Sequence, residues 1–178
     1  MIDLDHRLQR WVVEHRVGWL DGVFVWLSNL GAWGWIFLVV AAVAAVFLRR
    51  PQVFVLTLAA LALGEVLQKG LKEAVGRDRP HLPPGEPRPL VKVPSDPSFP
   101  SGHATLAFAG AVMIALLVPR LAAPVLVLAA AIAYSRVYLG VHYPLDVIGG
   151  ALLGAAAAIA LRRLAAARRR SRRPRRAS

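Results

Sequence analysis

The chain has 178 residues, the length of a single domain, and 57% of them are apolar, more than a soluble protein of this size carries, so its class is integral membrane. It has no cysteine, which excludes disulfides, thiolate nucleophiles and cysteine-based metal sites. The formal charge of +12 would suit nucleic acid if spread over a soluble surface, but nine arginines lie between Arg162 and Arg176, directly after an apolar segment; that tail reads as a topology anchor and a binder of anionic lipids, with no nucleic-acid partner.

From the N-terminus, Leu4, Leu8, Trp11 and Val12 recur at helical spacing with charges between them, which predicts an amphipathic helix over residues 1–20 lying in the membrane interface without crossing it. Asp3, Asp5, Arg7, Arg10, Glu14 and Arg16 interrupt any clean apolar run, so the segment does not read as a cleavable signal. Residues 22–48 carry no charge, and a span of about 20 residues fits there, Gly31 to Leu48 with the preceding stretch tucked beside it, ended by Arg49-Arg50-Pro51. A second span runs from Gln52 to Leu71, with Glu65 and Lys69 one turn apart as an intrahelical pair. The loop from Gly76 to Pro100 is proline-rich and too polar for lipid. The third span begins at Ser101 and ends at Pro119-Arg120, the fourth runs from Pro124 to Leu139, and the fifth from Pro144 to Leu161. The expected fold is all-α, an integral membrane bundle of about five transmembrane helices plus the interfacial helix. It would comprise a membrane-embedded domain over residues 1–161, with its motif core at 72–146, and a basic tail over residues 162–178.

On this assignment Arg49, Arg50, Arg120 and the tail arginines share one side, while Lys72, Arg79, Ser101, His103, Arg136, His142 and Asp146 emerge on the other. The excess of positive charge marks the first side, and with it the C-terminus, as cytoplasmic, so the second group faces outward. Trp11, Trp19, Trp26, Trp33 and Trp35 read as an aromatic belt near the outer interface, with the lining of a lipid-substrate entrance as the alternative.

Ionisable groups beside membrane spans are costly and are kept where they pair or perform a function. His142 and Asp146 are four apart, with Pro144 suited to the first turn of a helix, so the carboxylate can reach one imidazole nitrogen and leave the other free to attack phosphorus. His103 could protonate the leaving oxygen. Lys72, Arg79 and Arg136 supply cations from three segments. Ser101 and Gly102 open a helix whose free N–H groups and dipole favour an anion, and Gly102 keeps a side chain out of its way. His6, His15 and His81 have no partner at useful spacing and read as solvated, and Asp78 reads as relief of repulsion between Arg77 and Arg79. Nothing in the sequence demands a metal.

Lys72 with six residues before Arg79-Pro80, then Pro100-Ser101-Gly102-His103, then Ser135-Arg136 with five residues before His142 and three before Asp146, resembles the three signatures of the type 2 phosphatidic acid phosphatase family, in order. The resemblance implies a metal-independent lipid phosphatase without a cofactor. It implies His142 as nucleophile, His103 as acid and base, Asp146 orienting His142, and Lys72, Arg79, Ser101, Gly102, His103 and Arg136 holding the phosphate. The implied substrates are lipid phosphates of a bacterial cytoplasmic membrane: a polyprenyl diphosphate first, then phosphatidylglycerol phosphate or phosphatidic acid. Two other functions use the same residues: phosphate transfer between lipids, and a non-catalytic clamp for anionic lipids. The intact set of His103, His142 and Asp146 speaks against the clamp. The N-terminal helix is open to interfacial, re-entrant and dimer-contact roles, so a homo-oligomer is among the expectations.

Overall fold

A computed structural model describes residues 2–81 and 87–171, and among them there are helices and no strands. The helices are α1 (Ile2–Glu14), α2 (Gly18–Gly31), α3 (Trp35–Phe47), α4 (Gln52–Val75), α5 (Gly102–Leu117), α6 (Ala122–Tyr138) and α7 (Pro144–Ser171), with short 3₁₀ turns at Ala32–Gly34 and Pro119–Leu121. Four stretches are long and apolar enough to cross a bilayer: Gly18–Phe47, Gln52–Val75, Pro119–Tyr138 and Pro144–Arg168. The fifth apolar helix, α5, is shorter.

Helix α5 is the axis of the bundle, packed against α4, α6 and α7. One face joins Phe37 and Ala41 of α3, Val53 of α4 and Ile132 of α6 through Ala107, Ala111 and Ile114, and the other joins Ala60 and Leu61 of α4 and Ala158 of α7 through Leu106, Ala109 and Met113. Apolar all round, it reads as a buried helix. Between spans, lipid is as apolar as leucine, so close packing of small residues holds helices together. Gly150 and Gly154 of α7 do this against α5. A methyl group on Gly154 would lie 2.1 Å from the Thr105 carbonyl oxygen and 2.8 Å from the Ala109 nitrogen. Gly154→Ala should therefore cost about 1–3 kcal/mol through overpacking. Gly70→Ala, with nothing within 4 Å of the added carbon, should gain about 0.5–1 kcal/mol from the stiffer backbone. Thermal unfolding in detergent, followed by tryptophan fluorescence, checks the opposite signs.

Several boundaries differ from the sequence expectation, and helix α4 runs past Leu71 to Val75. The first apolar stretch is helical from Gly18, not from Gly31, and is broken at Trp33 and Gly34, whose φ values of 57° and 72° interrupt the hydrogen-bond ladder. Gly34 packs against Leu61, where a Cβ would come within 2.7 Å of that side chain. Helix α7 runs beyond Leu161 to Ser171, since alanine and arginine are both strong helix formers. Arg172 to Arg176, part of the tail expected to bind anionic lipids, lie outside the described residues.

Helix α1 turns its polar side inward. Asp5, Gln9 and Val13, one helical turn apart, are at most 2% exposed, while Leu4, Leu8 and Trp11 are 52%, 45% and 57% exposed. Beside a bilayer the outside is the apolar environment, so the carboxylate of Asp5 is sheltered against the protein. The five tryptophans are all exposed.

Candidate active site

The chain order places the chemistry-bearing residues at one end of the bundle. Lys72 is in the last turn of α4, Ser101 to His103 begin α5, Arg136 is in the last turn of α6, and His142 and Asp146 flank the start of α7. Gly76, left-handed at φ 62°, closes α4 and turns the chain into the segment carrying Arg77 and Arg79. A hydrogen bond from Ser101 N–H to the Asp146 carbonyl (2.9 Å) ties the start of α5 to that of α7.

Lys72, Arg79, Gly102, His103, Arg136 and His142 all line one cleft of about 500 Å³, together with Trp33, Gln68, Asp96 and Leu106. Ser101 and Asp146 are fully buried behind that surface. The cations are already engaged. Asp96 accepts hydrogen bonds from Lys72 Nζ and, at 2.8 Å, from Arg79 Nη2, while Arg79 Nε donates to the Asp96 carbonyl (2.8 Å). Partial burial works to raise the Asp96 carboxyl, but the hydrogen bonds and charges of Lys72 and Arg79 outweigh it and hold the group below the usual carboxylate range. Arg136 donates from Nη1 to Ser28, and its Nε is buried without a hydrogen-bond partner, as is the Ser101 hydroxyl. Such atoms are costly unless something accepts from them or donates to them.

His142 is 2% exposed, against the expectation of an open imidazole, because the segments on either side close over it. Its Nδ1 faces Asp146 Oδ2 at 3.5 Å and Ser98 Oγ at 3.3 Å, and the Ser98 hydroxyl also donates to Asp146 Oδ2. Ser98 thus bridges imidazole and carboxylate. On the other side Arg79 Nη1 lies 3.1 Å from His142 Nε2, which assigns the proton to Nδ1 and the lone pair to Nε2. Burial, reinforced by the Arg79 and Arg136 charges, outweighs the Asp146 carboxylate and pushes the imidazole down to about 4.

That shift has a sign. His142 titrates near 6.5 when unfolded and near 4 in the fold, so between these values the unfolded chain binds the extra proton. Stability should then rise with pH from about 4 and level off above about 6.5, by on the order of 3 kcal/mol. His142→Gln should flatten that part of a plot of Tm against pH.

Apart from Ala32 and Trp33, every residue lining the cleft lies within 53–170, the stretch that matches the PAP2 superfamily. The chain belongs to this family. An undecaprenyl-diphosphatase from Sulfolobus acidocaldarius is 33% identical over 141 residues, covering 79% of this chain and 68% of the relative. A phosphatidylglycerophosphatase B from Bacillus subtilis is 34% identical over 165 residues, covering 84% and 77%. The crystal structure of a transmembrane PAP2-type phosphatidylglycerolphosphate phosphatase from Bacillus subtilis superposes with a TM-score of 0.78 at 28% identity, covering 98% of this chain and 88% of the other. This PAP2 protein is a multi-pass membrane enzyme that hydrolyses lipid phosphates.

Several residues of the PAP2 site escaped the sequence reading. Arg77, half-buried, pairs with Asp146 Oδ1 (2.7 Å) and Asp5 Oδ2 (2.6 Å), so the partners of Arg77 and Arg79 are Asp5, Asp146 and Asp96, not Asp78. Ser98 and Asp96 come from the polar loop, where no periodicity marks them. His6 stacks on Tyr143 with ring centroids 4.4 Å apart, so it is not simply solvated. Glu65 and Lys69 do pair, at 2.9 Å, on the cleft wall.

Proposed function

We propose that this chain removes phosphate from a lipid phosphate through a covalent phosphohistidine, with His142 as nucleophile, His103 as acid and base, and Asp146 holding the imidazole. The carrying observation is the single cleft onto which Lys72, Arg79, Arg136, His103 and His142 converge. A phosphoryl group entering it meets the guanidinium of Arg79, which shifts from His142 Nε2 to a phosphate oxygen and uncovers the lone pair. His142 Nε2 then forms a bond to phosphorus as the bond from phosphorus to the lipid oxygen breaks, and His103 gives its proton to that oxygen. In the second half, His103 takes a proton from water, the water oxygen bonds to phosphorus, the P–N bond breaks, and inorganic phosphate leaves. Lys72, Arg79 and Arg136, the Ser101 hydroxyl and the N–H groups around Gly102 meet the charge that develops. All of this uses the protein's own donors, without a metal.

Three buried cations at one cleft suit the extra charge of a diphosphate, which favours a polyprenyl diphosphate; phosphatidylglycerol phosphate and phosphatidic acid come next. The similarity to an undecaprenyl-diphosphatase and to phosphatidylglycerophosphatases supports this ranking at the level of lipid class. Arg49, Arg50 and Arg120 lie in connections at the opposite end of the helices, which supports an outer-leaflet site in a bacterial cytoplasmic membrane and a cytoplasmic C-terminus. The C-terminal arginines would bind anionic lipids there.

The test is inorganic phosphate release by detergent-solubilised protein in excess EDTA, against these three lipids. Release, greatest with the polyprenyl diphosphate, is expected. Silence on all three by folded protein, or loss of activity on chelation, would overturn the reading.

A further inference from the structure

We propose that Arg77 and Asp5 are positioning residues for the His142 imidazole, acting through Asp146, so that the N-terminal helix completes the catalytic end of the bundle. The inference rests on the reading of His142 as nucleophile.

Asp146 is fully buried and both of its oxygens are committed. Oδ2 accepts from the Ser98 hydroxyl and the Tyr143 N–H (2.9 Å) and faces His142 Nδ1; Oδ1 accepts from Arg77 Nη1 at 2.7 Å. The first set of contacts sits on one edge of the carboxylate. Among the described residues Arg77 holds the other, and so helps to fix the rotation of the group about its Cβ–Cγ bond. Asp5 in turn holds Arg77. Its Oδ2 accepts from Arg77 Nη2 at 2.6 Å, and its Oδ1 accepts from the Leu145 N–H at 2.9 Å, next to Asp146 in the first turn of α7. The circuit therefore closes on the element it starts from. The Arg77 guanidinium also lies 4.4 Å from the centroid of the Tyr143 ring, on which His6 of α1 stacks. Four hydrogen bonds and one cation–ring contact among Asp5, Arg77, Leu145, Tyr143 and Asp146 thus join α1, the loop after α4 and the start of α7. A guanidinium suits this place because its planar fork presents two separate N–H edges to two carboxylates at once.

A tether that merely docked α1 would affect folding or lipid entry. A group that orients a catalytic base would instead affect the chemical step. The experiment is steady-state kinetics on the full chain in detergent, with Tm measured for every variant. Arg77→Gln should lower kcat about tenfold or more with KM little changed, Arg77→Lys should recover part of that loss, and Asp5→Asn should lower kcat to a smaller extent in the same sense. Wild-type kcat in folded Arg77→Gln and Asp5→Asn, or a raised KM with kcat intact, would overturn the inference. If Arg77→Gln leaves two facing carboxylates that prevent folding, Asp5→Asn decides alone, since the amide oxygen still accepts from Leu145. His142→Ala is run in parallel. Turnover by that variant would sink the underlying mechanism, whereas an inactive His142→Ala beside fully active Arg77 and Asp5 variants would sink this inference only.

Discussion

His142→Ala should abolish turnover, lowering kcat by about 10⁴-fold or more while the protein stays folded. The imidazole, the nucleophile of the proposed mechanism, lines the cleft with its far nitrogen facing a buried carboxylate. Its loss leaves Asp146 with Ser98, Tyr143 N–H and Arg77, so no buried charge is orphaned. The side chain is neutral in the fold, and what its removal costs in stability is a cavity rather than an ion pair. Wild-type enzyme quenched in base during turnover should carry acid-labile phosphate, at most one per chain, and the variant none. Labelled phosphate on the variant, or measurable release from it, would remove the covalent mechanism.

His103→Ala should be almost as severe with a lipid phosphate monoester, at about 10²- to 10⁴-fold in kcat/KM, but much milder in kcat/KM when the leaving group departs without a proton. The alkoxide that leaves a lipid phosphate monoester needs one; a nitrophenolate does not. The ratio of kcat/KM on phosphatidic acid to that on 4-nitrophenyl phosphate should therefore collapse in the variant. If His103 only binds phosphate, both substrates lose equally and the ratio stays at its wild-type value. Phosphohistidine should still form from the activated substrate and then persist, because the water that clears it also lacks its base.

The cleft was legible because its residues lie in short, local patterns: Lys72 and Arg79 close in sequence, Ser101 to His103 at a helix start, and Arg136, His142 and Asp146 around one turn. The apolar stretches were equally plain. What supports the site was not legible, because its contacts join remote segments. Arg77 reads as one more charge in a basic run, and only the fold shows that Asp5 and Asp146 take its two edges. Ser98 is an ordinary loop serine until it lies between His142 and Asp146. Helix α1 did show its amphipathic pattern, but the pattern says nothing of which side faces the protein, and here the polar side does. The break at Trp33 and Gly34 was hidden by the uninterrupted apolar run around it, since a residue with φ above zero other than glycine leaves no compositional mark.

Asp96 gives the cleft a tethered counter-ion. With Lys72 and Arg79 both bound to it, the cleft holds an internal salt, and under the proposed mechanism a phosphate would enter by exchange with a carboxylate as well as with water. Net affinity is then the difference between two ion pairs, smaller than three bare cations would produce. Under the same mechanism the exchange would run backwards after hydrolysis: the tether is at hand when the phosphate loosens, and its return would help to expel an anion that such a cluster of positive charge would otherwise retain.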